Sequence, residues 1–247
     1  MVRPPMLNLS EWAFFLDLDG TLLDIAGSPD AVTVPAGLID TLGPLRNHLS
    51  GALAIISGRS IKTIDRLLHP LLISAAGEHG AVLRFPDGDI ADAGSDAVVP
   101  REWRKAIHMQ AQNWPNTLVE EKPHGIAIHY RGNPTAAGEI GRFLETLTAR
   151  DPSFVAMPAI MAFEIRHCSI DKGNALAVLM AQDLFRDRKP LFIGDDVTDE
   201  DAILAASQLG GTGFRVPDAF GGEPAQVRLW LSDLVADANR HPRQMSR

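Results

Sequence analysis

Three short apolar runs, Ala13–Leu16, Ala52–Ile56 and Leu71–Ala76, recur along the first third of the chain with a helical stretch between each pair. A run of four to six apolar residues closed by polar turn residues reads as a strand buried on both faces. Ala36–Leu49 reads as a helix, with Pro35 suited to its first turn. Ser57-Gly58-Arg59-Ser60 opens a second helix through about Leu68. Strands of this kind alternating with helices form a parallel sheet covered on both sides. The alternation returns late in the chain: helix Gly173–Gln182, strand Pro190–Ile193, helix Glu200–Ser207, a short strand Phe214–Val216 and a terminal helix Leu229–Asn239.

The middle is patterned differently. Ala81–Leu83 and Asp89–Ala91 flank a Pro86-Asp87-Gly88 turn, and Thr117–Lys122 and Ile126–Tyr130 flank Pro123-His124-Gly125, so both read as hairpins. Helices are expected over Pro100–Asn113 and Thr135–Arg150, and a further strand pair over Phe154–Met157 and Ala162–Arg166. The fold class is therefore α/β, with an α+β module inserted into a parallel-sheet core. The expected boundaries are 1–96 for the first part of the core, 97–167 for the insert and 168–247 for the rest.

With 247 residues, 45% of them apolar, the chain can bury a sizeable core. Its net charge of −8, without a basic cluster, argues against a nucleic-acid surface. No window approaches the length of a membrane span, and MVRPPMLNLSEW lacks a signal core. Cys168 is the only cysteine, so an intrachain disulfide is impossible and a reducing, cytoplasmic setting is expected. Ile25–Val34 reads as a loop without substrate information. The C-terminal HPRQMSR is expected to be disordered.

Ligands of open parallel sheets bind beyond the carboxyl ends of the strands. Asp17 and Asp19, Ser57, Lys172, and the group Asp195, Asp196 and Asp199 all fall at such ends or at helix starts. Converging carboxylates suit a hard divalent cation such as Mg²⁺. A serine at a helix start and a lysine suit a phosphate. Together they suit phosphoryl transfer, where positioning and charge neutralisation carry most of the catalysis. One carboxylate can attack phosphorus while its neighbour moves protons.

The ordered set Asp17-Leu18-Asp19-Gly20-Thr21, Ser57-Gly58-Arg59, Lys172-Gly173 and Gly194-Asp195-Asp196-Val197-Thr198-Asp199 resembles the haloacid dehalogenase (HAD) superfamily of aspartate-nucleophile phosphatases. The resemblance implies a Rossmann-like core with a C2-type cap. It assigns Asp17 as nucleophile and Mg²⁺ ligand, and Asp19 as acid/base with its carbonyl on the metal. Asp195 is a further ligand, Asp196 and Asp199 support the metal, and Ser57 and Lys172 hold the phosphoryl group. Gly20, Thr21, Gly58 and Arg59 are expected to line the substrate, although Arg59 can also be read as simply opening a helix.

The segments Gly77-Glu-His-Gly80, Val119 to Arg131, Glu164 to Gly173 and Phe192 to Ala202 resemble trehalose-6-phosphate phosphatases of the bacterial type. That likeness maps the family's sugar-gripping residues onto Glu120, Lys122 and Glu164. Residues i and i+2 of a strand share a face, so Glu120 and Lys122 can offer an acceptor and a donor side by side. Each has a plainer reading as an exposed strand face. Glu78 and His79 are divided between site lining and loop structure. His124 reads as a solvated turn residue, and His129, Tyr130 and Arg131 as solvent-facing or buttressing. Cys168 reads as an inert thiol, and Trp103 and Trp114 as packing in the insert.

The expected partner is a small sugar phosphate, with no nucleic acid and no membrane; association with a synthase is not legible. Two alternatives remain at this level. One is another capped HAD sugar phosphatase, acting on sucrose phosphate, mannosyl-3-phosphoglycerate or a hexose phosphate. The other is a non-catalytic sensor of the phosphorylated sugar, which the complete set of acids opposes.

Overall fold

The first apolar run becomes a strand, β1 (Trp12–Leu16), in which every residue after Trp12 is buried. This computed structural model describes residues 4–27, 31–94, 97–159 and 161–241, so most of the C-terminal tail lies outside the described residues. Helix α1 (Leu38–His48) leads to β2 (Leu53–Ile56), and α2 (Ile61–Leu68) to β3 (Ser74–Gly77). Helix α1 starts two residues later than its apolar pattern suggests, because Gly37 ahead of it takes a left-handed φ of 81°. Strand β3 also starts late: the Leu71 N–H bonds back to the Leu68 carbonyl in a turn, and Leu72 is exposed. The hairpin β4 (Val82–Arg84) and β5 (Ile90–Asp92) follows.

The middle of the chain runs α3 (Arg101–Ala111), β6 (Leu118–Glu121), β7 (Gly125–His129), α4 (Ala137–Thr148), β8 (Phe154–Ala159) and β9 (Ala162–His167). The last stretch is α5 (Lys172–Met180), β10 (Lys189–Gly194), α6 (Glu200–Gln208), β11 (Thr212–Arg215), the single turn α7 (Val216–Ala219) and α8 (Pro224–Arg240). Helix α8 begins well before Leu229, since Pro224 fits a first helical turn, where no N–H is required.

Two compact units result. One combines the described residues up to Asp92 with those from Asp171 onward, and the other is Ala93–Ile170. The first holds a seven-stranded sheet in the order β11-β10-β1-β2-β3-β4-β5. Strands β11 through β3 are parallel, and β4 and β5 are antiparallel. The chain leaves β1 towards β2 on one side and later returns as β10 on the other. That reversal places a switch point beyond the carboxyl ends of β1 and β10, where open α/β sheets bind ligands.

Helix α1 packs with α8, and α5 with α6. Phe14 stacks on Trp230 with centroids 6.0 Å apart, and Phe15 on Phe185 at 5.3 Å. Each such buried ring contributes roughly 1.5–3 kcal/mol. The strand ends that carry the acids are therefore anchored by well-packed core.

The second unit is a four-stranded antiparallel sheet in the order β6-β7-β9-β8. Ile126, Ile128 and Ile165 point to one face, where they pack with Trp103 and Ile107 of α3, Trp114, and Ile140 and Leu144 of α4. The register aligns Glu120 with Ala127 and Ala127 with Glu164. By strand alternation these residues stand on the opposite face.

Candidate active site

Asp17 directly follows β1, and its N–H donates to the Ile193 carbonyl at 2.9 Å, which ties it to the end of β10. Asp17 is 4% exposed. Lys172 Nζ donates to Asp17 Oδ1 at 2.7 Å and to Asp199 Oδ1 at 2.6 Å. The Thr21 hydroxyl donates to Asp17 Oδ2 at 3.3 Å. Lys172 begins α5, and Asp171 caps that helix by accepting from the Asn174 N–H at 2.7 Å.

Asp195, Asp196 and Asp199 follow β10 in a single tight turn. Asp199 is fully buried, and its Oδ2 accepts from the Asp196 N–H at 3.0 Å. Asp196 accepts from the Val197 N–H at 2.5 Å, so its carboxylate caps the turn. Gly20 has φ 73°, and a Cβ there would lie 1.9 Å from Asp195 Oδ2. Only glycine lets that carboxylate close over the loop after β1.

Carboxylate oxygens of Asp17, Asp195 and Asp199 all lie within 4.8 Å of one another. Three crowded carboxylates share one buried ammonium. Burial, with Asp199 and Asp195 nearby, pushes the Asp17 carboxyl well above the usual range against the pull of Lys172. Burial, Asp199 and Asp196 push Asp195 up to about 6. Burial acts to lower Lys172, but Asp17 and Asp199 outweigh it and the ammonium is held charged. Only oxygen donors and a deficit of positive charge fit a hard divalent cation. Asp199 stands with Asp17 and Asp195 in this cluster and holds Lys172 as well, while Asp196 caps the turn.

Ser57 follows β2 and is 1% exposed, with its N–H bonded to the Ala76 carbonyl and its Oγ accepting from the Arg59 N–H at 3.2 Å. Arg59 does not open a helix, because α2 starts at Ile61 with Ser60 as its cap. Its guanidinium instead grips Asp19, Nε to Oδ2 at 2.6 Å and Nη2 to Oδ1 at 2.7 Å.

A family model described as trehalose-phosphatase matches residues 15–217. The chain belongs to the trehalose-phosphatase family. A "Probable trehalose-phosphate phosphatase" of Sinorhizobium fredii is 39% identical over 210 residues, covering 85% of this chain and 79% of that protein. The trehalose-6-phosphate phosphatase of Escherichia coli is 31% identical over 255 residues, covering 100% of this chain and 94% of that protein. Among solved structures, the C. albicans trehalose-6-phosphate phosphatase C-terminal domain superposes with a TM-score of 0.77 at 18% identity, covering 92% of this chain and 93% of that one. That likeness bears on the fold alone, a parallel-sheet core with an inserted α+β unit.

In the second unit the residues that the family pattern singled out are paired. Lys122 Nζ donates to Glu164 Oε2 at 2.7 Å, both side chains being mostly buried. Glu120 meets His129 Nε2 at 2.7 Å, and that hydrogen bond, with Lys122 nearby, draws the Glu120 carboxyl below its usual range. His129 had only a solvent-facing or buttressing reading in the sequence; its pairing depends on cross-strand register, which no local pattern shows. Glu121 points the other way, to Arg104 and His108. His124 is buried rather than solvated, Arg131 is exposed and Cys168 is exposed. No helix among the described residues is long and apolar enough to cross a membrane.

Proposed function

We propose that this chain is a Mg²⁺-dependent phosphatase that converts trehalose 6-phosphate to trehalose and inorganic phosphate. The observation that carries the reading is the buried Lys172 ammonium set between Asp17 and Asp199, with Asp195 beside them at the switch point of the sheet. Family membership adds the sugar ester as substrate class.

In this reading an Asp17 oxygen attacks phosphorus, and the bond to the sugar oxygen breaks as an aspartyl-phosphate forms. Asp19 gives its proton to the departing alkoxide, then takes one from the water that releases phosphate. Lys172 and the Ser57 hydroxyl hold the phosphoryl oxygens. Thr21 steadies Asp17, and Gly20 makes space for the Asp195 carboxylate. Asp17, the Asp19 carbonyl and Asp195 would hold Mg²⁺, with Asp196 and Asp199 supporting it. The ion supplies charge neutralisation for the phosphoryl oxygens and lets the carboxylates lie close.

The unit Ala93–Ile170 acts as the cap in this proposal. Glu120, Lys122 and Glu164 grip the sugar ring distal to the phosphate. Two acceptors and a donor on one sheet face suit hydroxyls of both hydrogen-bonding senses, and a wrong sugar leaves them unpaired.

The test is phosphate release with Mg²⁺ from trehalose 6-phosphate, sucrose 6-phosphate, glucose 6-phosphate, mannosyl-3-phosphoglycerate and a nitrophenyl ester, with the Asp17→Asn protein as blank. A large preference for trehalose 6-phosphate is expected. Even activity across the panel would discard the substrate and keep the chemistry.

A further inference from the structure

The turn Gly77-Glu78-His79-Gly80 has no part in the reading above, yet its backbone is strained. Glu78 and His79 both take left-handed φ values, 50° and 59°, a region that side chains other than glycine enter at a cost. The turn holds the loop that presents Ser57. The Glu78 N–H donates to the Arg59 carbonyl at 3.0 Å and the His79 N–H to the Ser57 carbonyl at 3.0 Å. It is also pressed against the start of α5. A Cβ at Gly77 would lie 2.9 Å from Arg59 O, and one at Gly80 would lie 2.8 Å from Asp171 O, just before Lys172.

The side-chain contact is more informative still. The three atoms nearest to a Cβ built on Gly58 all belong to the His79 ring: Nε2 at 2.6 Å, Cε1 at 2.7 Å and Cδ2 at 3.4 Å. Gly58 itself does not occupy the left-handed region. A side chain at 58 would have to displace the imidazole, which fills the space it would take. A turn that needed only its backbone shape would be better served by glycine at 79.

We propose that His79 is a positioning residue for the phosphate-holding loop: its imidazole lies against Gly58 and sets the placement of the Ser57 hydroxyl relative to Lys172. The inference rests on the phosphatase reading above. A loop misplaced by about an ångström loses about a hundredfold in rate. Because the group held is the phosphoryl group, the loss should be the same for every ester.

The experiment compares wild type, His79→Gly, Gly58→Ala and the double variant on trehalose 6-phosphate and on nitrophenyl phosphate, with inorganic phosphate as inhibitor and thermal unfolding alongside. His79→Gly relieves the left-handed strain, so its melting temperature should equal or exceed that of wild type. Its kcat/KM should nevertheless fall about 10- to 100-fold on both esters, with phosphate inhibition weakened to match. Gly58→Ala should be damaging in wild type and add nothing in the His79→Gly protein, as expected for two groups competing for one space.

Activity of His79→Gly within twofold of wild type would overturn the proposal. So would a loss confined to trehalose 6-phosphate, or one that tracks a lowered melting temperature. Wild-type protein that releases phosphate from neither ester would instead overturn the phosphatase reading, before any variant is compared.

Discussion

Arg59 grips both oxygens of the Asp19 carboxylate, with Nε 2.6 Å from Oδ2 and Nη2 2.7 Å from Oδ1. Asp19 leaves the end of β1 and Arg59 follows β2, so the pair fastens together two neighbouring strand-end loops. A planar guanidinium fixes the orientation of a carboxylate in a way that a lysine ammonium does not. Arg59→Lys should therefore lower kcat by about 10- to 100-fold through misorientation of Asp19, with KM changed little. Steady-state kinetics on trehalose 6-phosphate would show this; a rise in KM alone would place Arg59 in substrate binding instead.

Asp17→Asn keeps the size of the side chain and removes the nucleophilic oxygen charge. Turnover should fall below detection, while binding of inorganic phosphate with Mg²⁺ persists in calorimetric titration. Residual turnover well above a mock preparation would mean that another group attacks phosphorus.

The Lys172 ammonium bridges two buried carboxylates, those of Asp17 and Asp199. Removing one partner of a buried ionic cluster commonly costs about 3–5 kcal/mol, so Lys172→Met should be strongly destabilised without metal. Added Mg²⁺ should restore part of that loss by linkage. Urea unfolding with and without the ion measures both effects, and a midpoint equal to wild type would show that the ammonium is dispensable to the fold.

The pair Lys122–Glu164 belongs to the second unit and to the proposed sugar grip. Lys122→Ala should depress trehalose 6-phosphate hydrolysis by at least about tenfold more than nitrophenyl phosphate hydrolysis. His129→Ala, which strips Glu120 of its hydrogen bond, should act in the same direction more weakly. Equal losses on the two esters would remove both residues from sugar recognition.

Asp195 gives a pH dependence with a definite sign. Its carboxyl is pushed up to about 6 without metal, chiefly by burial and then by Asp199 and Asp196. A raised acid binds its proton more tightly in the folded chain, so its contribution to stability is present below the unfolded pKa and is lost as pH rises through about 6. A cation must displace that proton, along with any held on the raised Asp17 carboxyl, so Mg²⁺ affinity should climb as pH rises through about 6. Calorimetry in buffers of different ionisation heat should detect protons released on binding at pH 5.5 and fewer at pH 7.5. Identical affinity across that range would mean that Asp195 does not hold the ion.

Much of the architecture was legible because it is local. Apolar runs ending in acids read as buried parallel strands, and Asp17, Ser57 and Asp195 fell at strand ends for that reason. The errors were at boundaries such as Ala36 and Leu71, where a left-handed glycine or a turn overrode the apolar pattern. Period-two alternation also placed Glu120 and Lys122 on one face, away from Glu121.

The sequence alone determined the succession of strands and helices along the chain, the differently patterned middle and the residue types gathered at the strand ends, since these follow from short-range pattern and motif. Tertiary structure decided the partners. It set Asp199 rather than Asp196 beside Asp17, closed Arg59 onto Asp19, joined Glu120 to His129 and laid the His79 ring against Gly58. Those choices depend on strand register and on the direction each side chain takes from its loop. Both are settled only when residues far apart in the chain compete for the same few ångströms of space.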